Sequence, residues 1–310
     1  MNEIDLRLMR AAVAVAEELS FSRASTRLHL SQPALTKQIQ DLEGFLQATL
    51  FDRNHQKVSV TDAGRAFVEE AKLSLLHQQR AVQAARAVAH GAEVILNVGQ
   101  SPYTDPLLTS IVSSVHLPLF PDLRLHISSD YSPELSRRVS SGELDLAILA
   151  AGAESRQVTS IELANSPLYL VLDKASPLAN RKKLFLEDIA GMPWILFSYQ
   201  IHPLLYDAIS ERASAMGIVL SDRHHVTTAE QAAQLVQKTG GVAFVTKHGA
   251  WRVAVDGLTM RPLAEPDIRQ RTVLEVRTDA GRLVSEFVRA VVKKSRKFAP
   301  PVQGSLALAG

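Results

Sequence analysis

The hydrophobic pattern of this 310-residue chain changes near Gly91, and the change limits the folds that the chain can adopt. Before Gly91, apolar residues recur every three or four positions, as in Leu6, Met9 and Val13, which is the spacing of a buried helical face. After Gly91, short apolar runs alternate with helical stretches, which is typical of parallel sheets built from β-α-β units. The runs predicted to be strands are 94–98, 123–127, 144–149, 168–172, 194–197, 242–245 and 273–276. The sequence therefore predicts a helical N-terminal part and a larger α/β part, and its length and 46% hydrophobic content allow more than one core.

Start signals divide the N-terminal part into short helices. The first is predicted from Asp5 to Leu19, and the second is predicted to be capped by Ser22 and to end near Leu28. Ser31 is predicted to cap the third helix. Pro33 then falls in its first turn, where a missing N–H costs no intrahelical hydrogen bond.

A ribbon and a long helix follow the third helix. Apolar and polar residues alternate in the segment 50–61, around a polar tip, which indicates two short strands. Thr61 and Asp62 are start signals for a helix that continues to about Ala89 without a proline. A helix of this length with a narrow apolar stripe is typical of a connecting or dimerising element. Three helices followed by a ribbon predict a winged helix-turn-helix.

The third helix has an unexplained polar face. On a wheel of about 100° per residue, Leu35, Ile39 and Leu42 share one side, and small or hydrogen-bonding residues occupy the other. Glutamine, threonine and lysine can contact base edges or phosphates in a major groove, although such a face is more often merely solvated. The polar side comprises Pro33, Lys37, Gln40 and Gly44, with Thr36 beside it and the flanking cations Arg23, Arg27, Arg53 and Lys57.

The stretch from Phe21 to Gly64 resembles the DNA-binding signature of the LysR-type transcriptional regulators. The shared motifs are a Ser-Gln-Pro-Ala helix entry, Gln-Ile and Leu-Glu pairs, a Leu-Phe-x-Arg strand and a Thr-x-Ala-Gly helix start. Gln47 stands where the family usually has glycine. The family is identified on these motifs in combination, and its layout extends over the whole chain.

The resemblance implies that the polar face of the third helix contacts the major groove and that the ribbon contacts the backbone or minor groove. It also implies that 67–88 pairs with a second subunit, within a homotetramer assembled from dimers. Such a dimer would bind an imperfect palindrome in double-stranded DNA. The candidate DNA-binding residues are Arg23, Arg27, Ser31, Gln32, Pro33, Thr36, Lys37, Gln40, Arg53 and Lys57.

The expected architecture is an N-terminal winged helix-turn-helix, a long linker helix and a two-lobed α/β regulatory domain similar to periplasmic solute-binding proteins. Connections near 160–167 and 263–271 are expected to cross between the lobes. The expected domains are 1–61 (DNA-binding), 62–90 (linker and dimerisation), 91–298 (effector-binding) and 299–310 (disordered tail). Within the effector domain, lobe I is expected at about 91–162 and 269–298, and lobe II at about 163–268.

Loops with hydroxyl groups follow several predicted strands and precede helices. Ligands of open α/β sheets bind at such places, where helix N-termini offer N–H groups, so we expect a small organic anion such as a carboxylate. Serine and threonine are also ordinary helix caps, and Ser132 is expected to cap a helix that begins at Pro133. Together with the resemblance, the loops predict the family's inducer-binding cleft. The candidate effector-binding residues are Ser101, Tyr103, Thr104, Ser132, Ser198, Gln200, His202, Thr227 and Thr228.

Several function classes are disfavoured. The chain has no cysteine, which excludes disulfides and thiol chemistry. We find no motif for a nucleophilic elbow, a phosphate loop or a metal site, and predict neither an enzyme nor a bound cofactor. The absence of a signal peptide or an apolar span predicts a soluble cytoplasmic protein. The alternative hypothesis is a cytoplasmic small-molecule binding protein whose helical head only dimerises.

Overall fold

The computed structural model describes residues 4–54, 57–90, 94–120, 123–153, 155–218, 223–255 and 257–297. The chain divides into two compact units, 1–92 and 93–310. The N-terminal unit is helical with a small ribbon, and the C-terminal unit contains two five-stranded sheets.

The N-terminal unit begins with α1 (Leu6–Glu18), α2 (Phe21–Arg27) and α3 (Gln32–Leu46). The predicted cap Ser31 is confirmed, because its hydroxyl accepts a hydrogen bond from the Ala34 N–H. The predicted cap of α2 was wrong. Ser20 has the extended backbone of an N-cap and its Oγ accepts from the Arg23 N–H, whereas Ser22 lies inside the helix.

The predicted ribbon is confirmed as β1 (Phe51–Asn54) paired antiparallel with β2 (Lys57–Val60). It leads into α4 (Asp62–His90), whose start is capped by Thr61: the hydroxyl accepts from the Gly64 N–H and donates to the Thr49 carbonyl. Leu35, Ile39 and Leu42 of α3 are fully buried against α1, the ribbon and the first turns of α4.

The C-terminal unit contains lobe I, with the sheet order β4-β3-β5-β12-β6. Strands β3, β4 and β5 are parallel, while β12 runs antiparallel to both β5 and β6. Helix α6 packs on one face, and α5 and α10 pack on the other. The elements are β3 (Val94–Gln100), α5 (Pro106–Leu119), β4 (Leu123–Ser129), α6 (Ser132–Ser140), β5 (Leu146–Ala150), β6 (Val158–Pro167), β12 (Arg269–Arg277) and α10 (Arg282–Ser295).

Lobe II has the sheet order β11-β7-β10-β8-β9. Strands β8, β9 and β10 are parallel, whereas β7 runs antiparallel to β10 and to β11. Its elements are β7 (Tyr169–Asp173), β8 (Trp194–Phe197), α7 (Pro203–Ala215), β9 (Arg223–Val226), α8 (Ala229–Thr239), β10 (Val242–Val245), α9 (Lys247–Val253) and β11 (Leu258–Pro262), with short 3₁₀ turns at Pro177–Asn180 and Leu186–Ile189.

Two expectations about the sheets need correction. The sheets are mixed rather than parallel, because the chain leaves lobe I through β6, returns through β12, and pairs these two strands antiparallel. The segment 160–167, expected to be a crossing, lies entirely within strand β6. The expected tail 299–310 lies outside the described residues. In the described part of the chain, no helix combines the length and the apolar character that a bilayer span requires.

Candidate DNA-binding face and effector cleft

Within the N-terminal unit, the outer side of α3 is exposed and can contact a partner molecule. Gln32, Pro33, Lys37 and Gln40 are exposed, and Thr36 is half-buried. This arrangement follows from the wheel, since the three apolar residues of the opposite side are buried in the core. The helix therefore presents amide, hydroxyl and ammonium groups that can donate to, or accept from, base edges and phosphates.

Helix α3 is held against the ribbon by Glu43. The carboxylate Oε1 of Glu43 accepts hydrogen bonds from the N–H groups of Leu50 (2.7 Å) and Phe51 (3.1 Å). The helix ends at Gln47, which adopts the left-handed conformation at φ 51°. The Leu-Glu pair of the sequence motif thus has a structural role: Leu42 is core, and Glu43 fixes the wing relative to α3.

The predicted flanking cations Arg23 and Arg27 are exposed but already paired. The Arg27 guanidinium lies 2.8 Å from the Glu17 carboxylate, which is also 2.9 Å from Lys72 Nζ. Hydrogen bonding from Lys72, and then from Arg27, lowers the pKa of Glu17. Arg23 donates to the Glu18 carbonyl. These ion pairs fix the basic side chains along α2, and each guanidinium has further N–H groups that can donate.

The ribbon cations can be located by backbone only. Strand pairing places Arg53 opposite Val58, and Lys57 opposite Asn54. The side chains of Arg53 and Lys57 lie outside the described part of the structure.

In the C-terminal unit, a cavity of about 360 Å³ lies between α6, the end of β5 and the start of α7. We call it the polar cavity after the three serines that line it, although most of its lining surface is apolar. The first turn of α6 contributes Ser132 and Pro133, and the first turn of α7 contributes Pro203 and Leu204. Two helix N-termini therefore border one space, where partial positive charge favours an anion. The polar cavity is lined by Ser132, Pro133, Ser136, Arg137, Ser140, Ala150, Ala151, Gly152, Ala153, His202, Pro203 and Leu204.

Ser132 reaches this cavity in a different role from the one expected. It is the first residue of α6 rather than its cap, because Tyr131 occupies the N-cap position. The Ser132 hydroxyl accepts a hydrogen bond from the Ala150 N–H (3.1 Å), which ties α6 to the end of β5. The Tyr131 side chain makes no capping hydrogen bond. The predicted capping by Ser132 was therefore wrong.

Arg137 is the cationic side chain that lines the polar cavity. It donates to both carboxylate oxygens of Glu134, at 2.9 and 2.7 Å, and lies 3.2 Å from Glu143. The hydrogen bond to Glu134 raises the pKa of Arg137 above its ordinary range. Since two carboxylates share this charge, the electrostatic attraction for an anion comes mainly from the helix termini.

A second, smaller cavity of about 40 Å³ adjoins the segments that cross between the lobes. We call it the hinge cavity, because Leu168 and Gln270 line it from these segments. Its walls are mainly apolar and aromatic. Lining residues are Tyr103, Leu168, Leu196, Phe197, Ile201, His202, Leu205, Tyr206, Ile209, Phe244, Val245, Thr246 and Gln270.

Tyr103 connects the two lobes. Its hydroxyl donates to the carbonyl of Thr227 in lobe II (2.8 Å), and its ring contacts Phe197 edge-on with centroids 5.5 Å apart. The ring also stacks on Tyr131 of lobe I. Burial, and then the neighbouring Tyr131 phenol, raises the pKa of Tyr103 to about 12. The hydroxyl therefore remains a donor at neutral pH.

His202 lines both cavities, as the N-cap of α7. Its Nδ1 accepts a hydrogen bond from the Leu205 N–H (3.4 Å). Burial lowers the pKa of His202 to about 4, so the imidazole is neutral at physiological pH. With Nδ1 acting as acceptor, the proton resides on Nε2.

The other predicted effector residues line neither cavity. Ser101 and Thr104 are buried, and the Thr104 hydroxyl donates to the Ser101 carbonyl. The Ser198 hydroxyl is directed to the Val226 carbonyl, and Gln200 is exposed. Thr228 caps α8, and the Thr227 hydroxyl pairs with Gln231. Their roles in effector binding remain predictions.

Sequence reasoning missed several cavity residues. Ser136 and Ser140 lie four and eight positions after Ser132, so the helical period would have placed all three on one face of α6. Gln270 and Tyr206 carry no such signal, because their positions depend on how the lobes meet.

Known protein families match both units. Residues 6–65 match the bacterial regulatory helix-turn-helix protein family, lysR type, and residues 95–296 match the LysR substrate binding domain. A hydrogen peroxide-inducible genes activator from Dickeya chrysanthemi is 28% identical, over 88% of this chain and 90% of that protein. The DNA-binding transcriptional dual regulator OxyR of Escherichia coli (strain K12) is 30% identical, over 86% of this chain and 82% of that protein.

The fold is shared with a solved LysR family regulator. Full-length CbnR, in complex with its target DNA, superposes with a TM-score of 0.71 at 21% identity, covering 94% of this chain and 100% of that one. The fold similarity and the two family matches agree over nearly all of the chain. The chain therefore belongs to the LysR family of transcriptional regulators, which are not enzymes.

Proposed function

We propose that the chain binds an imperfect palindromic operator in double-stranded DNA through the exposed face of α3, and that a small organic anion bound between the lobes modulates this binding. The observation that carries the proposal is the division of α3 into a fully buried apolar side and an exposed side of hydrogen-bonding groups. In this proposal Gln32, Thr36 and Gln40 read base edges, and Lys37 contacts phosphate or guanine.

The flanking contacts are electrostatic. Arg23, Arg27, Arg53 and Lys57 contact phosphates, with Ser31 beside them at the start of α3, whereas Pro33 faces the major groove. The pairing of Arg23 and Arg27 with acids of α1 supports positioning rather than a large gain in affinity, because a shared charge releases fewer counterions.

We further propose that the chain divides at 61, 90 and 298 into a DNA-binding domain, a linker helix and an effector domain. Helix α4 extends over 29 residues, and its C-terminal half includes exposed apolar residues such as Val82. Pairing of this helix with that of a second copy gives a dimer, and two dimers form the homotetramer. Two recognition helices then bind half-sites about one helical turn, or a multiple of it, apart.

The polar cavity supports an anionic effector, a carboxylate in particular. Two helix N-termini border it, and Tyr131, the N-cap residue of α6, makes no side-chain capping hydrogen bond. A carboxylate bound there contacts lobe I through α6 and lobe II through α7. It therefore stabilises one arrangement of the lobes over others, which is the requirement for a ligand to shift a conformational equilibrium.

A thiol-based response to oxidants is excluded for this sequence, although similar proteins are named for induction by hydrogen peroxide. Oxidation of cysteine to a sulfenic acid or a disulfide requires a thiol, and the sequence contains no cysteine. This supports signalling through a bound ligand.

A footprint on the DNA upstream of the chain's own gene and the neighbouring gene tests the DNA-binding proposal. We expect salt-sensitive protection over two half-sites, altered in extent by carboxylates that raise the melting temperature. Gln32→Ala is expected to relax sequence preference by about 1–3 kcal/mol at one base pair, whereas Lys57→Ala weakens binding to all sequences more evenly.

The control is Gln157→Ala, on the surface of the effector domain, which leaves the footprint unchanged. The same change in sequence preference for the Gln32 and Lys57 variants would contradict the assigned roles. Absence of a specific complex at micromolar protein would favour a ligand-binding protein whose helical head only dimerises.

A further inference from the structure

The polar cavity and the hinge cavity adjoin, because His202 lines both. Both cavities are lined mainly by apolar surface, but their polar groups differ. The polar cavity is bordered by helix N-termini and serine hydroxyls, whereas the hinge cavity is enclosed by aromatic and aliphatic side chains such as Phe197, Phe244 and Ile209. A single ligand that occupies both must therefore carry unlike groups at its two ends.

Two polar atoms of the hinge cavity's lining residues are buried without a hydrogen-bond partner among the described residues. One is His202 Nε2, which carries the proton because Nδ1 accepts from the Leu205 N–H. The other is Gln270 Oε1, the carbonyl oxygen of a side chain that is only 5% exposed. Its amide nitrogen donates to the Tyr103 carbonyl (3.0 Å), which fixes the amide orientation.

These atoms offer one donor and one acceptor. A hydroxyl group satisfies both, since it accepts from His202 and donates to Gln270. A carboxylate has no proton for Gln270 and would be buried there without a cation. An ammonium group has no lone pair for the His202 N–H. At about 40 Å³, the hinge cavity exceeds the roughly 10–15 Å³ that one water-sized group needs, so a hydroxyl group fits.

We propose that the effector is a small hydroxylated carboxylate, whose carboxylate lies in the polar cavity and whose hydroxyl enters the hinge cavity between His202 and Gln270. This inference rests on the proposed carboxylate site. It adds the second functional group and the two side chains that select it. Because Gln270 lies on the segment that re-enters lobe I and His202 belongs to lobe II, the hydroxyl joins the lobes.

Matched acids test the inference directly. Isothermal titration calorimetry on the full-length wild-type protein compares butanoate with 4-hydroxybutanoate, hexanoate with 6-hydroxyhexanoate, and benzoate with 4-hydroxybenzoate. We expect the hydroxylated member of at least one pair to bind about tenfold more tightly, because the parent acid leaves both buried atoms unpaired.

Two variants assign the preference to its residues. His202→Asn keeps a side chain that can cap α7 but removes the buried Nε2–H donor. Gln270→Met keeps the side-chain volume but removes the Oε1 acceptor. In each variant the preference for the hydroxylated acid is expected to fall to about twofold or less. The matched control is Gln157→Met, an exposed glutamine that lines neither cavity and should retain the preference.

The outcomes separate the two proposals. Carboxylates that bind with equal affinity whether or not they carry a hydroxyl overturn this inference and leave the carboxylate site standing; a water molecule between His202 and Gln270 would give this result. A preference that persists in both variants also overturns it. If no acid binds the wild type, the carboxylate site itself is wrong, and this inference with it. The comparison of matched acids on the wild-type protein does not depend on whether either variant folds.

Discussion

Glu275 is a buried carboxyl on β12 whose environment favours the protonated form. The residue is 2% exposed, and Oε1 accepts a hydrogen bond from the Ser160 hydroxyl at 3.2 Å. Oε2 is buried without a partner among the described residues. Burial raises the pKa of Glu275, and this outweighs the effect of the Ser136 and Ser160 hydroxyls, which lowers it. Proton binding and folding are therefore coupled at this residue.

The sign of the coupling follows from the direction of the shift. A carboxyl whose pKa is raised on folding stabilises the folded state most below its ordinary pKa of 4.5, and this stabilisation is lost as the pH rises through the raised value. Glu275→Gln replaces the titrating carboxyl group with a neutral amide. We expect the melting temperature of the variant to exceed that of the wild type by a few degrees at pH 8, with the difference shrinking toward pH 4.

Differential scanning calorimetry at pH 4, 6 and 8 measures this difference. The control is Glu162→Gln on the neighbouring strand, where the carboxylate is 2.8 Å from the exposed Arg271 guanidinium. That variant should show little change, and a loss rather than a gain at pH 8. If Glu275→Gln lowers the melting temperature equally at every pH, protonation of Glu275 does not contribute to the pH dependence of stability.

At the scale of elements, the junction between the wing and α4 depends on a glycine. A Cβ at Gly64 would clash with the Leu50 carbonyl oxygen, lying closer to it than any real contact. The Leu50 carbonyl is held close to the start of α4, because it accepts a hydrogen bond from the Thr61 N–H (3.0 Å). This explains the glycine of the Thr-x-Ala-Gly motif as a steric requirement rather than a need for flexibility.

Gly64→Ala is therefore expected to lower the free energy of unfolding by about 2–4 kcal/mol, because the start of α4 must move away from Leu50. Gly44→Ala is the matched control. It lies in helix α3 with nothing within 4 Å of its Cβ position, and should gain about 0.5–1 kcal/mol from helix propensity. Urea unfolding of both variants measures the contrast. Equal stabilities would refute the clash.

The strands that sequence analysis missed share a position in the fold. Strands β6, β9 and β11 lie at sheet edges, whereas the strands at the centre of each sheet were predicted. An edge strand is covered on fewer sides, so it needs fewer apolar residues and its signal is weak. Strand β9, Arg-His-His-Val, illustrates this with one buried residue. Edge strand β4 is the exception, because the apolar run 123–127 predicts it.

The candidate cleft, like the sheets, was predictable only in part. Helix-start signals located the turns that border the polar cavity, since capping residues and prolines are local features. They did not show which hydroxyls reach it. Ser101 and Thr104 are satisfied by nearby backbone, while Gln270, distant in sequence, lines the hinge cavity. Such contacts arise from tertiary packing, which no local pattern encodes.

At the scale of the whole effector unit, Tyr103 connects the two lobes through a hydrogen bond. The phenol of lobe I donates to the Thr227 carbonyl of lobe II. Closed and open arrangements of two lobes differ by little free energy in switching proteins, so one hydrogen bond of about 0.5–1.5 kcal/mol changes their populations several-fold. In the proposed mechanism, this equilibrium is the one that an effector shifts.

Tyr103→Phe removes the hydroxyl but keeps the ring contacts with Tyr131 and Phe197. We expect the unliganded variant to open more often, and amide hydrogen exchange over 100–104 and 226–229 to accelerate about two- to tenfold. The matched control is Tyr199→Phe, whose hydroxyl contacts Asp207 within lobe II and should leave these segments unchanged. Because no ligand is present, a direct loss of effector contact cannot produce the effect. Unaltered exchange in both segments would mean that the lobes are held together by packing alone.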